Sequence, residues 1–426
     1  MDKFFTAVCL NEALCTGCIN CIKRCPTQAI RVRNGKAVIM KKFCIDCGEC
    51  IRICQNHAKK AIYDPLDVRK QYEYTVALPA PSLYAQFNNL EDINIVLTAL
   101  KRMGFDDVYE VSGAAELVSE MTRKYIREHH EKWPIISTAC PSVVRLIRVR
   151  FPNLIEHLLP IKAPVDLAAT LAREKAMKGT GLPSDKIGII FISPCPAKVS
   201  AVKNPQGIDK SEVDAVIAIK EVYPKLLSYM KEVESKGEVE DISISGKIGI
   251  SWGGAGGECG GLLTESYLAA DGIENVIRVL EDLEDQKISA LEFIELNACN
   301  GGCVGGVLTV ENPFLAKVKL KRLRKYMPVA CNHLVHNDTK DGYWTKEVTY
   351  EPVFELGMDM KESIAMMAKV EELCKKFPGL DCGSCGAPTC KTLAEDVVRG
   401  VANEKDCIHI LRQYIHKISD EMSMLN

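Results

Sequence analysis

Cys15-Thr16-Gly17-Cys18-Ile19-Asn20-Cys21-Ile22-Lys23-Arg24-Cys25-Pro26 reads C-x2-C-x2-C-x3-C-P, a spacing by which thiolates hold 4Fe–4S cubes. Cys44, Cys47, Cys50 and Cys54 repeat the run, with Gln55 where the proline would stand. The chain has 20 cysteines, and two further groups of four lie downstream. Residues 1–60 carry eleven Lys/Arg against four Asp/Glu, a formal excess of +7. Two oxidised cubes with their thiolates carry about −2 each, so this basicity reads as compensation for buried clusters, not as a nucleic-acid patch.

The doubled run is similar to bacterial two-cluster ferredoxins, in which the last cysteine of each run serves the other cube. By that resemblance Cys15, Cys18, Cys21 and Cys54 hold one 4Fe–4S cluster, and Cys44, Cys47, Cys50 and Cys25 the second. At 426 residues there is room for three domains. The expected division is a two-cluster α+β ferredoxin-like domain over 1–62, an α/β domain over 63–358 and a small helical 4Fe–4S domain over 359–426. Net charge of −2 predicts no nucleic-acid partner, and no apolar run is long enough to cross a bilayer. Many cysteines without a secretory signal predict reduced, metallated thiolates in a cytoplasmic protein.

Within the α/β region, Thr75–Pro79 and Val108–Val111 read as strands, Leu90–Met103 and Ala114–His129 as helices. Three later strands run straight into cysteines: Pro134–Ser137 into Cys140, Ile187–Ile192 into Cys195, and Phe293–Leu296 into Cys299. Ligands of open α/β sheets sit beyond the carboxyl ends of strands, so these cysteines should converge on one buried site. The motifs are Thr138-Ala139-Cys140-Pro141, Ser193-Pro194-Cys195-Pro196-Ala197-Lys198 and Glu295-Leu296-Asn297-Ala298-Cys299-Asn300-Gly301-Gly302-Cys303.

Together these motifs resemble the three signatures of the iron–iron (FeFe) hydrogenases, roughly T-S-C-C-P, M-P-C-x-x-K and E-x-M-x-C-x-x-G-C. Ala80-Pro81-Ser82 and Gly104-Phe105-Asp106-Asp107-Val108 are similar to the family as well. The resemblance implies that Cys140, Cys195, Cys299 and Cys303 hold a 4Fe–4S cube. Cys303 would bridge it to a diiron subsite with CO, cyanide and dithiolate ligands, completing the H-cluster. It further implies reversible interconversion of H2 with protons and electrons, a ferredoxin-like redox partner and dedicated diiron maturation enzymes. Lys198 would bind one cyanide, with Pro81, Ser82 and Pro194 lining the cofactor.

Several positions depart from the family. Ala139 stands where catalytic members place a proton-relaying cysteine, and Ser193 and Asn297 replace two methionines of the diiron pocket. Ala201 replaces a glutamate of the usual relay. Positioned acid–base groups contribute about 10²–10⁴ in rate, so low turnover is expected. This pattern resembles the sensory-type hydrogenases, whose signal a further protein reads. Glu258 and Cys259, where the family has an apolar residue and methionine, are candidates for a replacement relay. The alternative is an iron–sulfur scaffold or electron-transfer protein without a diiron site.

Cys382, Cys385, Cys390 and Cys407 form C-x2-C-x4-C-x16-C, a spacing that also suits tetrahedral zinc. The run Pro378–Gly386 resembles cluster modules of electron-transfer proteins, so a third 4Fe–4S cluster besides the ferredoxin-like pair is expected there. Met358, Met360, Met366 and Met367 read as gap-filling core.

Overall fold

A computed structural model describes residues 5–288, 290–334, 340–353, 356–357 and 359–424. The chain forms two compact units. The smaller comprises Val8–Cys44, Glu49–Ala61 and Glu351–Asn426; the larger comprises Met1–Ala7, Ile45–Gly48 and Ile62–Tyr350.

The smaller unit opens with strand β1 (Val8–Leu10). Strands β2 (Ile30–Arg33) and β3 (Lys36–Ile39) form an antiparallel hairpin. Its two-residue turn is Asn34-Gly35, with φ of +50° and +70°, the left-handed pair that matches the twist of a tight hairpin. Strand β4 (Lys59–Ala61) returns antiparallel to β1. The two cysteine runs fold alike. Ala29 N–H donates to Cys25 Sγ at 3.1 Å and Ala58 N–H to Cys54 Sγ at 3.3 Å, each after a residue of positive φ, Gln28 and His57.

The chain's last part joins this unit through three helices, Met360–Lys376, Cys390–Val398 and Ile408–Met424. Val32 N–H donates to Gly386 O at 2.8 Å. Buried Asp396 accepts from Arg31 Nε at 2.6 Å and from Arg33 Nη2 at 2.9 Å. The expected methionine core is corrected here. Met360 is 81% exposed and Met367 55% exposed, while Val370, Leu393, Ala394 and Ile410 form the apolar centre. Met366, one turn before Val370, is half-buried. Met358 lies outside the described residues.

The larger unit is α/β. Strands β5 (Tyr74–Pro79), β6 (Asp107–Val108), β8 (Ile187–Ser193) and β9 (Ala215–Ala218) form a parallel sheet in the order β6-β5-β8-β9. Strands β7 (Ile135–Ile136), β10 (Tyr267–Asp271) and β11 (Phe293–Asn297) form a second parallel sheet in the order β10-β11-β7. All seven residues of β8 are buried, as parallel strands covered on both faces require.

Helices Ile93–Arg102, Val111–Glu128, Pro164–Thr180 and Ile219–Lys236 supply that cover. The second expected strand is shorter than its apolar letters suggest. Tyr109 N–H still reaches Ala77 O, but Val111 turns into the helix, where it shares a buried face with Ala114, Ala115 and Val118. Among the described residues no helix is long and apolar enough to cross a membrane.

Candidate functional site

Three loops at strand ends build the site in the larger unit. Cys140 caps the helix Pro141–Arg150, four residues past β7, and Cys195 caps Pro196–Lys203, two residues past β8. A proline at the first helical position fixes each cap, since its missing N–H needs no partner there. Cys299 follows β11 by two residues, and Cys303 lies one tight turn further on. Gly302 makes that turn possible. Its φ is +85°, and a Cβ there would stand 2.3 Å from Ala255 N.

Lys198 is buried and lines the cavity beside Cys303. Burial works against its charge, but Cys303, Cys195 and Cys140, with Asp166 behind them, outweigh burial and hold its amine above the ordinary lysine value. All three cysteines therefore act electrostatically on this one buried cation. Burial pushes the Cys195 thiol up to about 12 against the pull of Lys198, and raises Cys303 in the same way. Lys198 Nζ donates to Ala139 O at 3.2 Å.

Beside Cys303 lies a cavity of about 580 Å³ of space free of protein atoms, mouth included. Pro81, Ser82, Ala139, Pro194, Lys198, Glu258, Asn297 and Cys303, all expected from sequence, line it, with Trp252 and Glu295 added. Two expected residues do not line it. Ser193 is buried at the end of β8 and turns its Oγ to Cys195 O, 3.1 Å away. Cys259 is fully buried in the apolar core, its thiol turned toward Leu268 O and its pKa raised by burial and by the nearby Glu295 and Glu258.

Two carboxyls meet at the cavity wall. Glu295 accepts from Gly256 N at 2.9 Å, Cys259 N at 2.9 Å and Asn297 Nδ2 at 2.8 Å. Burial raises its pKa and these donors pull it back. Glu258 accepts from Ser137 Oγ at 2.5 Å, and Ser137 Oγ in turn accepts from Ala139 N–H at 3.3 Å. Burial, then Glu295, push the Glu258 carboxyl up to about 8. Two neighbouring carboxyls with unequal donors separate into a charged and a neutral member. Glu295 takes the charge, and Glu258 keeps the proton at neutral pH.

The residues present fit a resident iron cofactor. Ser82 Oγ is 0% exposed, borders the cavity and has no hydrogen-bond partner among the described residues. A buried hydroxyl left unsatisfied costs about 1–3 kcal/mol, so a ligand acceptor is the natural partner. In the smaller unit, Cys15, Cys18 and Cys54 are the cysteines acting on Cys21, while Cys44 and Cys25 are the first of those acting on Cys50. Cys21 also acts on Cys50, so the cysteines of the two runs lie near one another. Cys47 belongs to the segment Ile45–Gly48 of the larger unit. Cys385 is flanked by Cys407 and Cys382, and packs with Cys390 and Cys407 in one cluster. Among the described residues, no three His, Cys, Asp or Glu side chains stand close enough to share a single ion.

Ser137, Glu295 and Asp166 were not singled out from sequence. Ser137 immediately precedes the first motif and Glu295 opens the third, so their positions carried a signal. Asp166, on the helix Pro164–Thr180, carried none.

The family model described as iron only hydrogenase large subunit, C-terminal domain, matches residues 73–264 and 257–307. That is more than half of the 426 residues, and the chain belongs to this family. A 4Fe-4S dicluster domain model matches 7–55, and one described as a putative Fe-S cluster matches 377–409. The NADP-reducing hydrogenase subunit HndD of Solidesulfovibrio fructosivorans is 22% identical, over 72% of this chain and 63% of its own length. Iron hydrogenase 1 of Clostridium pasteurianum is 26% identical, over 73% of this chain and 66% of its own. The chain thus spans just under two thirds of these relatives. A solved structure of a variant apo [FeFe]-hydrogenase HydA1 from Chlamydomonas reinhardtii aligns with TM-score 0.49 and 13% identity, covering 68% of this chain and 97% of that one.

Proposed function

We propose that this protein is an iron–iron hydrogenase of low turnover, serving H2 or redox sensing in the cytoplasm. The observation that carries this reading is the electrostatic action of Cys140, Cys195 and Cys303 on buried Lys198, beside a cavity whose wall at Ala139 offers a methyl group instead of a thiol. Cys299 completes the ligand set. When bound, the H-cluster supplies the interconversion of H2 with protons and electrons.

The chain's own residues do the rest. Lys198 orients an anionic ligand through a charge-assisted bond, and the Ser82 hydroxyl donates from the Pro81 turn. Proton traffic runs through Glu258, whose Ser137 contact fixes the carboxyl at the wall and whose raised pKa places its proton exchange near neutrality. Glu295 acts through Glu258, by keeping a negative charge beside it. Cys259 has no part in this route. The cysteines at 15–25, 44–54 and 382–407 would hold three further 4Fe–4S clusters, which would supply electron transfer to a ferredoxin-like partner. Diiron maturation enzymes supply the subsite, and a signalling protein reads the state.

The test is an infrared spectrum of matured protein under H2 and under argon. CO and cyanide bands that change between the two gases are expected. Their absence after maturation would select the scaffold reading instead.

A further inference from the structure

The two cysteine runs are internal repeats, so residue pairs at equal distances past Cys25 and Cys54 occupy equivalent places. Ala29 matches Ala58, and Ile30 matches Lys59. The equivalence is structural as well, because Ala29 and Ala58 both donate their N–H to the last cysteine sulfur of their run. Ile30 and Lys59 are equally hidden, at 2% and 3% exposure. One repeat therefore buries a hydrocarbon where the other buries an amine.

Lys59 Nζ has no hydrogen-bond partner among the described residues. A buried cation left unpaired is strongly disfavoured, so the fold keeps one only where counter-charge is at hand. The groups on which its charge acts are cysteines. It is the leading charge on Cys21 and on Cys15, and it also reaches Cys50, there after Cys44 and Cys25. Iron-bound thiolates at these positions provide the missing negative charge. Its neighbour on β4, Lys60, is exposed and screened by water.

We infer that Lys59 is a redox-tuning residue: a buried cation that raises the reduction potential of the cluster held by Cys15, Cys18, Cys21 and Cys54 above that of its repeat-related neighbour. Reducing a cube adds one negative charge, and a fixed cation in a dry setting stabilises the product more than the reactant. Ile30 gives the other repeat no such help. The incoming electron thus settles first on the Cys21 side. This inference rests on the two-cluster reading of the repeat and adds an order of filling to it.

The test is an EPR-monitored redox titration of the full-length protein with reconstituted clusters. Lys59→Met is expected to lower the reduced-to-oxidised ratio of the higher-potential N-terminal couple about tenfold at a fixed potential, a shift of about 59 mV for one electron. Lys59→Arg and the exposed Lys60→Met should leave it near the wild-type value. A methionine variant of full iron content with an unmoved couple overturns the proposal, as does an arginine variant that shifts as far as methionine. If Lys59→Met loses iron, Lys59→Gln and Ile30→Lys decide. The first must lower a potential and the second raise one, and failure of both refutes the role. Wild-type protein lacking any 4Fe–4S signal on reduction would instead refute the cluster reading.

Discussion

Changing Glu258 to glutamine keeps the side chain's shape and its bond from Ser137, and removes the proton that can leave. Glu258 ionises near pH 8 in the fold, against 4.5 for an ordinary glutamate. Below about pH 8 it holds a proton to give, so H2 evolution should be supported there and fade through that value. H2 oxidation needs the ionised acceptor, so it should rise with pH through the same value. Lys198 and the Ser137 bond favour the ionised form, but burial and Glu295 win. Glu258→Gln should lose about 10²–10⁴ in both directions and show neither inflection.

Stability follows the same group. Between pH 4.5 and about 8 the native state keeps a proton that the unfolded chain has released, so stability is full below that window and falls as pH rises through it. At about 1.4 kcal/mol per unit the loss totals roughly 5 kcal/mol, and the glutamine variant should escape it. The assays are dye-linked H2 oxidation and evolution by matured protein across this range, with denaturant unfolding of the cluster-free chain. Glu258→Gln with wild-type rates and an unchanged pH profile would refute the reasoning. Cys259→Ala, altering a thiol that faces the core, should keep the wild-type profile.

Three further outcomes are expected. Ala139→Cys places a thiol on the cavity wall and should raise turnover in the dye assay; no change would mean that proton delivery is not limiting. Ser82→Ala removes an unsatisfied buried hydroxyl, so it should stabilise the cluster-free chain by about 1 kcal/mol while shifting the cyanide infrared bands of the matured protein. Asp396→Ala leaves Arg31 buried without its carboxylate and takes the same partner from Arg33, so it should cost about 3–5 kcal/mol in denaturant unfolding.

The cysteine groups were legible because cluster ligation is written in local spacing, and strand ends delivering Cys140, Cys195 and Cys299 followed from apolar runs of strand length. What lay hidden was decided by direction within a turn. Glu258 and Cys259 are adjacent in the four-residue helix Gly257–Gly260, where neighbouring side chains diverge by about 100°, and one faces the cavity while the other enters the core. Ser193 was misplaced for a related reason, since its hydroxyl found the backbone of its own loop. The exposed methionines show the weakness of composition as a guide. Met367 is 55% exposed although it stands three residues before buried Val370, so an apolar residue near the core-facing side of a helix need not be covered.

Arg31 and Asp396 are separated by most of the polypeptide, yet their ion pair lies within one packed unit. During synthesis, the first strands emerge long before the helix Cys390–Val398 exists to meet them. At about 5–20 residues per second, the ribosome takes roughly 20–70 s to cover that gap. Over that interval the first strands wait without the carboxylate that Arg31 meets in the finished unit, so the unit closes only once the chain's last part has been made.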